Sequence, residues 1–89
     1  MLAHVFISGF VQGVGFRQFV KSNAQKLELR GWVKNISDGR VEAVFQGSKE
    51  STEKMILACK KGPFLSEIKE IEVFWEESKT DFTEFEVLR

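Results

Sequence analysis

The sequence predicts an α+β fold in which two helices cover one face of a mostly antiparallel sheet. Three observations support this prediction. The spacing of apolar residues changes along the chain from strand-like alternation to helical periodicity and back, and it does so twice. The dipeptide Asp38-Gly39 separates two strand-like segments, which strongly indicates a tight hairpin. The 89 residues, 43% of them hydrophobic, are enough for one domain over residues 1–89 with its own core.

The first part of the chain predicts a strand, a glycine loop and a helix. Residues 3–10 are rich in β-branched and aromatic side chains, which favours a strand. Residues 11–15 contain two glycines within three positions and predict a loop. From Phe16 onward the apolar side chains follow helical spacing. This spacing predicts a helix that ends near residues 29–30, with Gly31 as its stop.

The remainder predicts a hairpin, a second helix and two more strands. Residues 32–37 and 40–47 are the two strand-like segments joined by the tight turn. A helical pattern follows over residues 48–61, and a Gly-Pro pair stops it. Apolar and acidic residues alternate over 70–76, which is typical of a half-buried strand, and a short strand is expected over 85–89.

The predicted order is therefore β-α-β-β-α-β with a short extra strand at the C-terminal side. Hairpins joined by helices place both helices on the same face of the sheet, which is the ferredoxin-like two-layer α/β sandwich. Because this fold hosts many unrelated functions, the function has to be argued from particular residues.

Composition and charge argue against several functional classes. The 13 basic residues balance the 13 acidic ones, so the chain lacks the overall positive charge that favours nucleic acid or anionic lipid. A single Cys and a single His supply neither a disulfide framework nor a zinc site. No apolar segment reaches the ~18 residues of a membrane span, and no basic region precedes the first apolar stretch. We therefore expect a cytoplasmic, monomeric protein that binds neither nucleic acid nor membrane.

One loop, between the first strand and the first helix, has the composition of an anion-binding site. It consists of Gln12, Gly13, Val14, Gly15, Phe16 and Arg17. Backbone N–H groups at a helix start lack intrahelical partners and carry a partial positive charge. Two glycines allow these groups to converge on a phosphate, and Arg17 is able to add a two-point contact. The alternative interpretation is a tight turn with a solvated arginine, and the loop alone leaves both open.

Two segments resemble the signatures of the acylphosphatase family. Residues 7–17, ISGFVQGVGFR, resemble the first signature, and residues 31–47, which begin GWVKNISDGRV, resemble the second. The two segments follow each other in the same order as the family's two signatures, and they are separated by about the same number of residues. The length of 89 residues also fits a single-domain member of the family.

The resemblance implies hydrolysis of the carboxyl–phosphate bond of a small-molecule acyl phosphate, with inorganic phosphate as product and inhibitor. It also implies that residues 12–17 cradle the phosphate, that Arg17 is their charged anchor, and that Asn35 orients the attacking water. No metal ion and no organic cofactor is expected.

The chemistry of these side chains agrees with the implied roles. A carboxylate with a pKa of about 4 is a good leaving group, so no strong general acid is needed. The guanidinium of Arg17 cannot act as a base, because its pKa exceeds about 12, and its role has to be binding and charge stabilisation. The Asn35 amide both donates and accepts hydrogen bonds but cannot take a proton from water. The substrate's own phosphate oxygens are therefore the expected proton acceptor.

Other chemically notable residues have structural interpretations. His4 is expected at the surface or the edge of the sheet, and Cys59 as a small core residue. The acidic residues between 70 and 77 are expected to form the solvated face of the fourth strand. Lys34 neighbours Asn35, but alternation along a strand places the two side chains on opposite faces.

Two other functional classes share parts of this pattern. A module that binds a phosphorylated or carbamoyl-phosphate-like ligand keeps the fold and the loop without turnover. An RNA-recognition domain has the same order of elements, but it needs a basic-aromatic motif on the third strand, which residues 40–45 do not match. A hydrolysis assay separates the enzyme from both.

Overall fold

The computed structural model describes all 89 residues and contains five strands and two helices. The elements in chain order are β1 (Leu2–Phe10), α1 (Phe16–Lys26), β2 (Arg30–Asn35), β3 (Val41–Gln46), α2 (Lys49–Lys61), β4 (Glu67–Glu76) and β5 (Phe85–Val87). This is the predicted order, with the short strand β5 following β4. The ferredoxin-like arrangement expected from the sequence is confirmed.

The five strands form one mixed sheet in the order β4-β1-β3-β2-β5. The pairs β1–β4, β1–β3 and β2–β3 are antiparallel, whereas β2–β5 is parallel. Since β1 and β2 are both antiparallel to β3, the strands β1, β2 and β5 all run in the same direction. Their carboxyl ends therefore meet at one edge of the molecule, and this edge carries the loop that follows β1.

Both helices pack on one face of the sheet and enclose the core there. Alternate residues of the strands point to this face, and those at its centre are fully buried. The buried side chains come from the strands (Ala3, Val5, Ile7, Val33, Val41, Ala43, Phe45, Phe85), from α1 (Phe16, Val20, Ala24) and from α2 (Met55, Cys59). The expectation that Cys59 is a small core residue is confirmed.

The predicted end of α1 near residues 29–30 is wrong, because the helix ends at Lys26. Glu28 adopts a left-handed conformation with φ 58°, and its N–H donates to the Gln25 carbonyl oxygen at 3.1 Å. The Leu29 N–H donates to the Ala24 carbonyl oxygen at 2.8 Å. These two bonds form a Schellman motif, in which a non-glycine residue occupies the position that usually favours glycine.

Gly31 lies within β2 and is not the helix stop. Its φ is 135°, and a Cβ built at this position would collide with the Val44 carbonyl oxygen of the adjacent strand. The absence of a side chain here therefore permits close approach of β2 and β3. β4 also differs from the prediction, since it begins at Glu67, three positions before residue 70.

The outer face of the sheet is covered by its own polar and aromatic side chains. His4 lies there in a central strand, and its Nε2 is 2.6 Å from Glu42 Oε2, so it is a surface residue but not an edge residue. Lys34 forms an ion pair with Glu42 at 3.8 Å and lies over the Trp32 ring at 5.2 Å. The predicted placement of Lys34 and Asn35 on opposite faces is confirmed. Neither helix is long and apolar enough to cross a membrane.

Candidate active site

The loop between β1 and α1 has a backbone that only glycine adopts readily. Gly13 and Gly15 both have φ 78°, in the left-handed region. A Cβ at either position would meet no atom within 4 Å. Glycine is therefore favoured at both positions by the backbone conformation and not by lack of space.

The start of α1 leaves a row of backbone N–H groups without protein acceptors. Gly15 is the N-cap and provides no side-chain cap, and the first helical bond runs from the Phe19 N–H to the Gly15 carbonyl oxygen at 3.0 Å. The N–H groups of residues 16–18 precede that bond, and residues 13–15 donate no backbone hydrogen bond. Six successive N–H groups, over residues 13–18, are thus available to an anion at the positive end of the helix dipole.

Gln12 fastens this loop to the hairpin between β2 and β3. Its side-chain Nε2 donates to the carbonyl oxygens of Ile36 and Arg40, each at 2.9 Å. Because both amide hydrogens are engaged, the side chain is a structural support of the loop. A contact between Gln12 and a phosphate is therefore limited to its backbone.

Arg17 brings a positive charge to the loop that no carboxylate neutralises. Its half-buried guanidinium donates from Nη1 to the Leu88 carbonyl oxygen at 3.4 Å. No Asp or Glu oxygen lies within 4.0 Å of its guanidinium nitrogens, so Arg17 forms no ion pair. A neutral acceptor orients the guanidinium while its charge remains available to an anion.

Asn35 is the last residue of β2 and points to the face of the sheet that carries the helices. It lies opposite Val41, and Val33 precedes it on the same face. Its Oδ1 is buried and has no hydrogen-bond partner in the protein. A buried polar atom without a partner is uncommon, because burial without a hydrogen bond costs about 1–3 kcal/mol. An atom of this kind is suited to a water molecule or a ligand.

A cavity of about 370 Å³ brings most of the predicted site residues together. Gly13, Gly15, Phe16, Arg17 and Asn35 line it. Gln12 and Val14 do not line the cavity, so the predicted loop contributes only part of its length to the wall. The ring of Phe16 belongs to the core, which leaves its backbone to face the cavity.

Three polar residues line the cavity without having been predicted from the sequence: Gln18, Lys21 and Arg89. Lys21 lies one helical turn after Arg17, so the i, i+4 spacing was a signal that places both on one face. Arg89 lies just beyond β5, and only the parallel pairing of β5 with β2 brings it to this edge. No Asp or Glu lines the cavity, which is therefore locally positive in a chain of zero net charge.

The chain matches a known family along almost its whole length. The acylphosphatase family model matches residues 3–87. The chain belongs to the acylphosphatase family. As a member it is a hydrolase that acts on small-molecule acyl phosphates, and the resemblance to this family noted in the sequence is confirmed. A curated acylphosphatase from Chloroflexus aurantiacus is 51% identical over 75 residues, which cover 84% of this chain and 82% of that protein.

Solved structures with the same backbone include chains of very different length. The crystal structure of acylphosphatase from Bacillus subtilis matches with a TM-score of 0.95 at 38% identity and covers 100% of both chains. The crystal structure of HypF from T. kodakarensis matches with a TM-score of 0.87 at 35% identity, but the match covers 100% of this chain and only 12% of that one. The acylphosphatase fold therefore occurs alone and as part of a much larger protein.

Proposed function

We propose that residues 12–17 bind the phosphoryl group of an acyl phosphate and that Asn35 orients the water that cleaves its carboxyl–phosphate bond. One observation carries this assignment. At a single edge of the sheet, unpaired backbone N–H groups, an unneutralised guanidinium and a buried, unpartnered amide oxygen line one cavity. Each of these groups requires a partner of the kind that an acyl phosphate and a water molecule supply.

The phosphoryl group is held by charge and by backbone donors. The N–H groups of the cavity-lining residues 13 and 15–18 donate to its oxygens, and the Arg17 guanidinium makes a two-point contact. Gln12 contributes by holding the loop on the hairpin, as its two bonds to carbonyl oxygens require. Phe16 contributes a backbone donor while its side chain lies in the core. Val14 packs against the core and supports the loop without lining the cavity.

The reaction is a displacement at phosphorus. Asn35 Oδ1 accepts a hydrogen bond from the water, whose oxygen forms the new bond to phosphorus. The bond between phosphorus and the carboxyl oxygen breaks, and the carboxylate leaves with the electron pair. The proton of the water passes to a phosphate oxygen. Arg17 stabilises the charge on the equatorial oxygens, so the protein mainly supplies positioning and electrostatics.

No side chain near the cavity acts as a general base in this scheme. His4 lies on the outer face of the sheet, away from the helices and the cavity. Cys59 is in the core, where burial raises the pKa of its thiol to about 12. The transfer of the proton to the substrate's own phosphate oxygen is consistent with this placement.

The remaining expectations concern partners and location. Inorganic phosphate, the product, retains the group that the loop binds and should compete with substrate. The edge strand β4 is acidic, with Glu67, Glu70, Glu72 and Glu76, which disfavours pairing with a second copy. We infer a cytoplasmic monomer, with a single domain over residues 1–89, that binds neither nucleic acid nor membrane.

The direct test is hydrolysis of benzoyl phosphate in EDTA, followed by its loss of absorbance. The chain brings no three His, Cys, Asp or Glu side chains together as a metal-binding group, so we expect full turnover in the chelator. Activity that disappears in EDTA and returns with a divalent ion would contradict the mechanism. Binding of phosphate without any turnover would favour the ligand-binding alternative.

A further inference from the structure

The cavity is larger and more positive than a phosphoryl group requires. Its volume is about 370 Å³, and the phosphate loop and Asn35 form only part of its wall. The remainder is formed by Gln18, Lys21, Val87 and Arg89, together with Val11. When an acyl phosphate is bound through its phosphoryl group, its acyl group lies in this part of the cavity.

Lys21 and Arg89 are cations without an acidic partner. Like most basic residues of the chain, neither forms an ion pair, but apart from Arg17 they are the only basic residues that line this cavity. No Asp or Glu lines the cavity, so no acidic side chain within it offsets the two charges. Positive charge concentrated in a cleft raises the local concentration of anionic ligands.

The phosphoryl group does not account for these two cations. The two-point contact of Arg17 and the five N–H groups of residues 13 and 15–18 already suffice to give each of its three terminal oxygens two hydrogen bonds. Lys21 lies four positions after Arg17, which displaces it by about 6 Å along the helix axis. This displacement is longer than a P–O bond and comparable to the distance from phosphorus to the far end of a short acyl group.

We propose that Lys21 and Arg89 recognise a second anionic group on the substrate, carried by its acyl part. The preferred substrates are then acyl phosphates whose acyl group bears a carboxylate or another anion. Lys21 and Arg89 bind the far end of the substrate and determine specificity, while the phosphoryl chemistry remains with Arg17 and Asn35. This inference rests on the proposed function and names its substrate class.

A matched pair of substrates tests the inference. Benzoyl phosphate and 4-carboxybenzoyl phosphate differ by one carboxylate, so the ratio of their kcat/KM values isolates the effect of the second charge. We expect the carboxylated substrate to be preferred, and the preference to decrease as salt is added. Lys21→Gln and Arg89→Gln should each reduce the ratio about fivefold, the upper range for a partly exposed ion pair.

Lys26→Gln is the matched control, since Lys26 is an exposed lysine of the same helix that does not line the cavity. This variant should keep the ratio of the parent protein. A parent protein without preference for the carboxylated substrate would overturn the inference. It would also be overturned if Lys21→Gln slowed both substrates equally, because Lys21 would then serve the phosphoryl group.

Binding of phosphonates separates this inference from the proposed function. Benzylphosphonate and 4-carboxybenzylphosphonate contain a carbon–phosphorus bond and are not hydrolysed. Tighter binding of the carboxylated phosphonate, lost in Lys21→Gln, supports the inference even in a protein that shows no turnover. Equal binding of the two phosphonates contradicts it whether or not acyl phosphates are hydrolysed.

Discussion

At the scale of single residues, Arg17 is the group on which the proposed phosphate site depends most. Arg17→Ala should nearly abolish turnover and also abolish inhibition by inorganic phosphate, because the charged part of the phosphate cradle is removed. We expect a loss of over about a hundredfold in kcat/KM, or roughly 3 kcal/mol of transition-state stabilisation. Arg17→Lys should remain badly impaired, since an ammonium group cannot make the planar two-point contact. Hydrolysis of benzoyl phosphate with and without added phosphate measures both effects.

Arg30→Lys is a suitable control for the arginine variants. Arg30 is exposed at the start of β2 and does not line the cavity. The same change from Arg to Lys should therefore alter neither turnover nor inhibition by phosphate. Activity retained in Arg17→Ala would refute the assignment of the phosphate site.

Substitution of Asn35 should affect turnover and phosphate binding differently from substitution of Arg17. Asn35→Ala should lower kcat strongly and leave phosphate inhibition close to that of the parent protein, because an uncharged amide adds little to the binding of a dianion. Since Oδ1 has no partner in the protein, its removal breaks no internal hydrogen bond, and the stability should change by at most about 1 kcal/mol. Turnover, phosphate inhibition and a denaturant midpoint are the three measurements. If inhibition weakened as much as turnover, Asn35 would belong to the phosphate cradle.

The buried thiol of Cys59 makes stability depend on pH in alkaline solution. Burial raises its pKa from 9.0 to about 12. Between these values the unfolded chain loses the thiol proton and the folded chain keeps it, so stability falls as pH rises, by up to about 1.4 kcal/mol per pH unit. Below pH 9 both states are protonated and this contribution is fully present.

Cys59→Ala provides the comparison, because it removes the thiol and keeps the other titrating groups. Urea unfolding between pH 8 and pH 10.5 should show a steeper loss of stability in the parent protein than in this variant. Equal slopes would show that the thiol is not protected from deprotonation.

At the scale of elements, Gln12 connects the phosphate loop to the β2–β3 hairpin. Gln12→Ala removes two hydrogen bonds to backbone carbonyl oxygens. We expect the free energy of unfolding to fall by about 1–3 kcal/mol and KM for benzoyl phosphate to rise, because the loop is no longer fixed relative to Asn35. Gln25→Ala, on the exposed side of α1, is the control and should change neither quantity. A rise in KM without loss of stability would indicate that Gln12 contacts substrate directly.

The elements themselves could be predicted from the sequence wherever a pattern of side chains determines them. The strand alternation, the helical spacing after Phe16 and the Asp38-Gly39 turn are local signals, and the order of elements followed from them. The end of α1 could not be predicted, because apolar spacing continues to Leu27 while Glu28 takes a left-handed conformation that no local rule assigns to glutamate. The prediction of Gly31 as a helix stop is wrong because glycine is required there by the close contact with the neighbouring strand, which the local sequence does not indicate.

The candidate site could be predicted only where a local segment of the sequence carries the signal. The glycines, Arg17 and Asn35 were identified through two signature-like segments, and the structure places them at one cavity. The two bonds of the Gln12 side chain join residues 24 and 28 positions apart, so they depend on the packing of the loop on the hairpin. The position of Arg89 at the cavity depends on the parallel pairing of β5 with β2, which no local sequence pattern predicts.

At the scale of the whole molecule, the direction of the strands creates the site. β1, β2 and β5 run in the same direction and end at the same edge, so a loop, an asparagine and the residues after β5 meet there. The helices occupy one face and the aromatic and charged cluster around His4 occupies the other. The proposed chemistry is consequently confined to one edge, and changes on the outer face are expected to affect stability more than turnover.

The carbonyl oxygen that orients Arg17 belongs to Leu88, which lies 71 positions further along the chain. During synthesis the loop of residues 12–17 is added early and Leu88 much later. Chains whose contacts join residues far apart in the sequence also fold more slowly. The Arg17 guanidinium therefore lacks this acceptor until Leu88 has been added, and we expect turnover to appear only after that point. Chains truncated before Phe85 provide the check, since turnover in any of them would contradict this order of assembly.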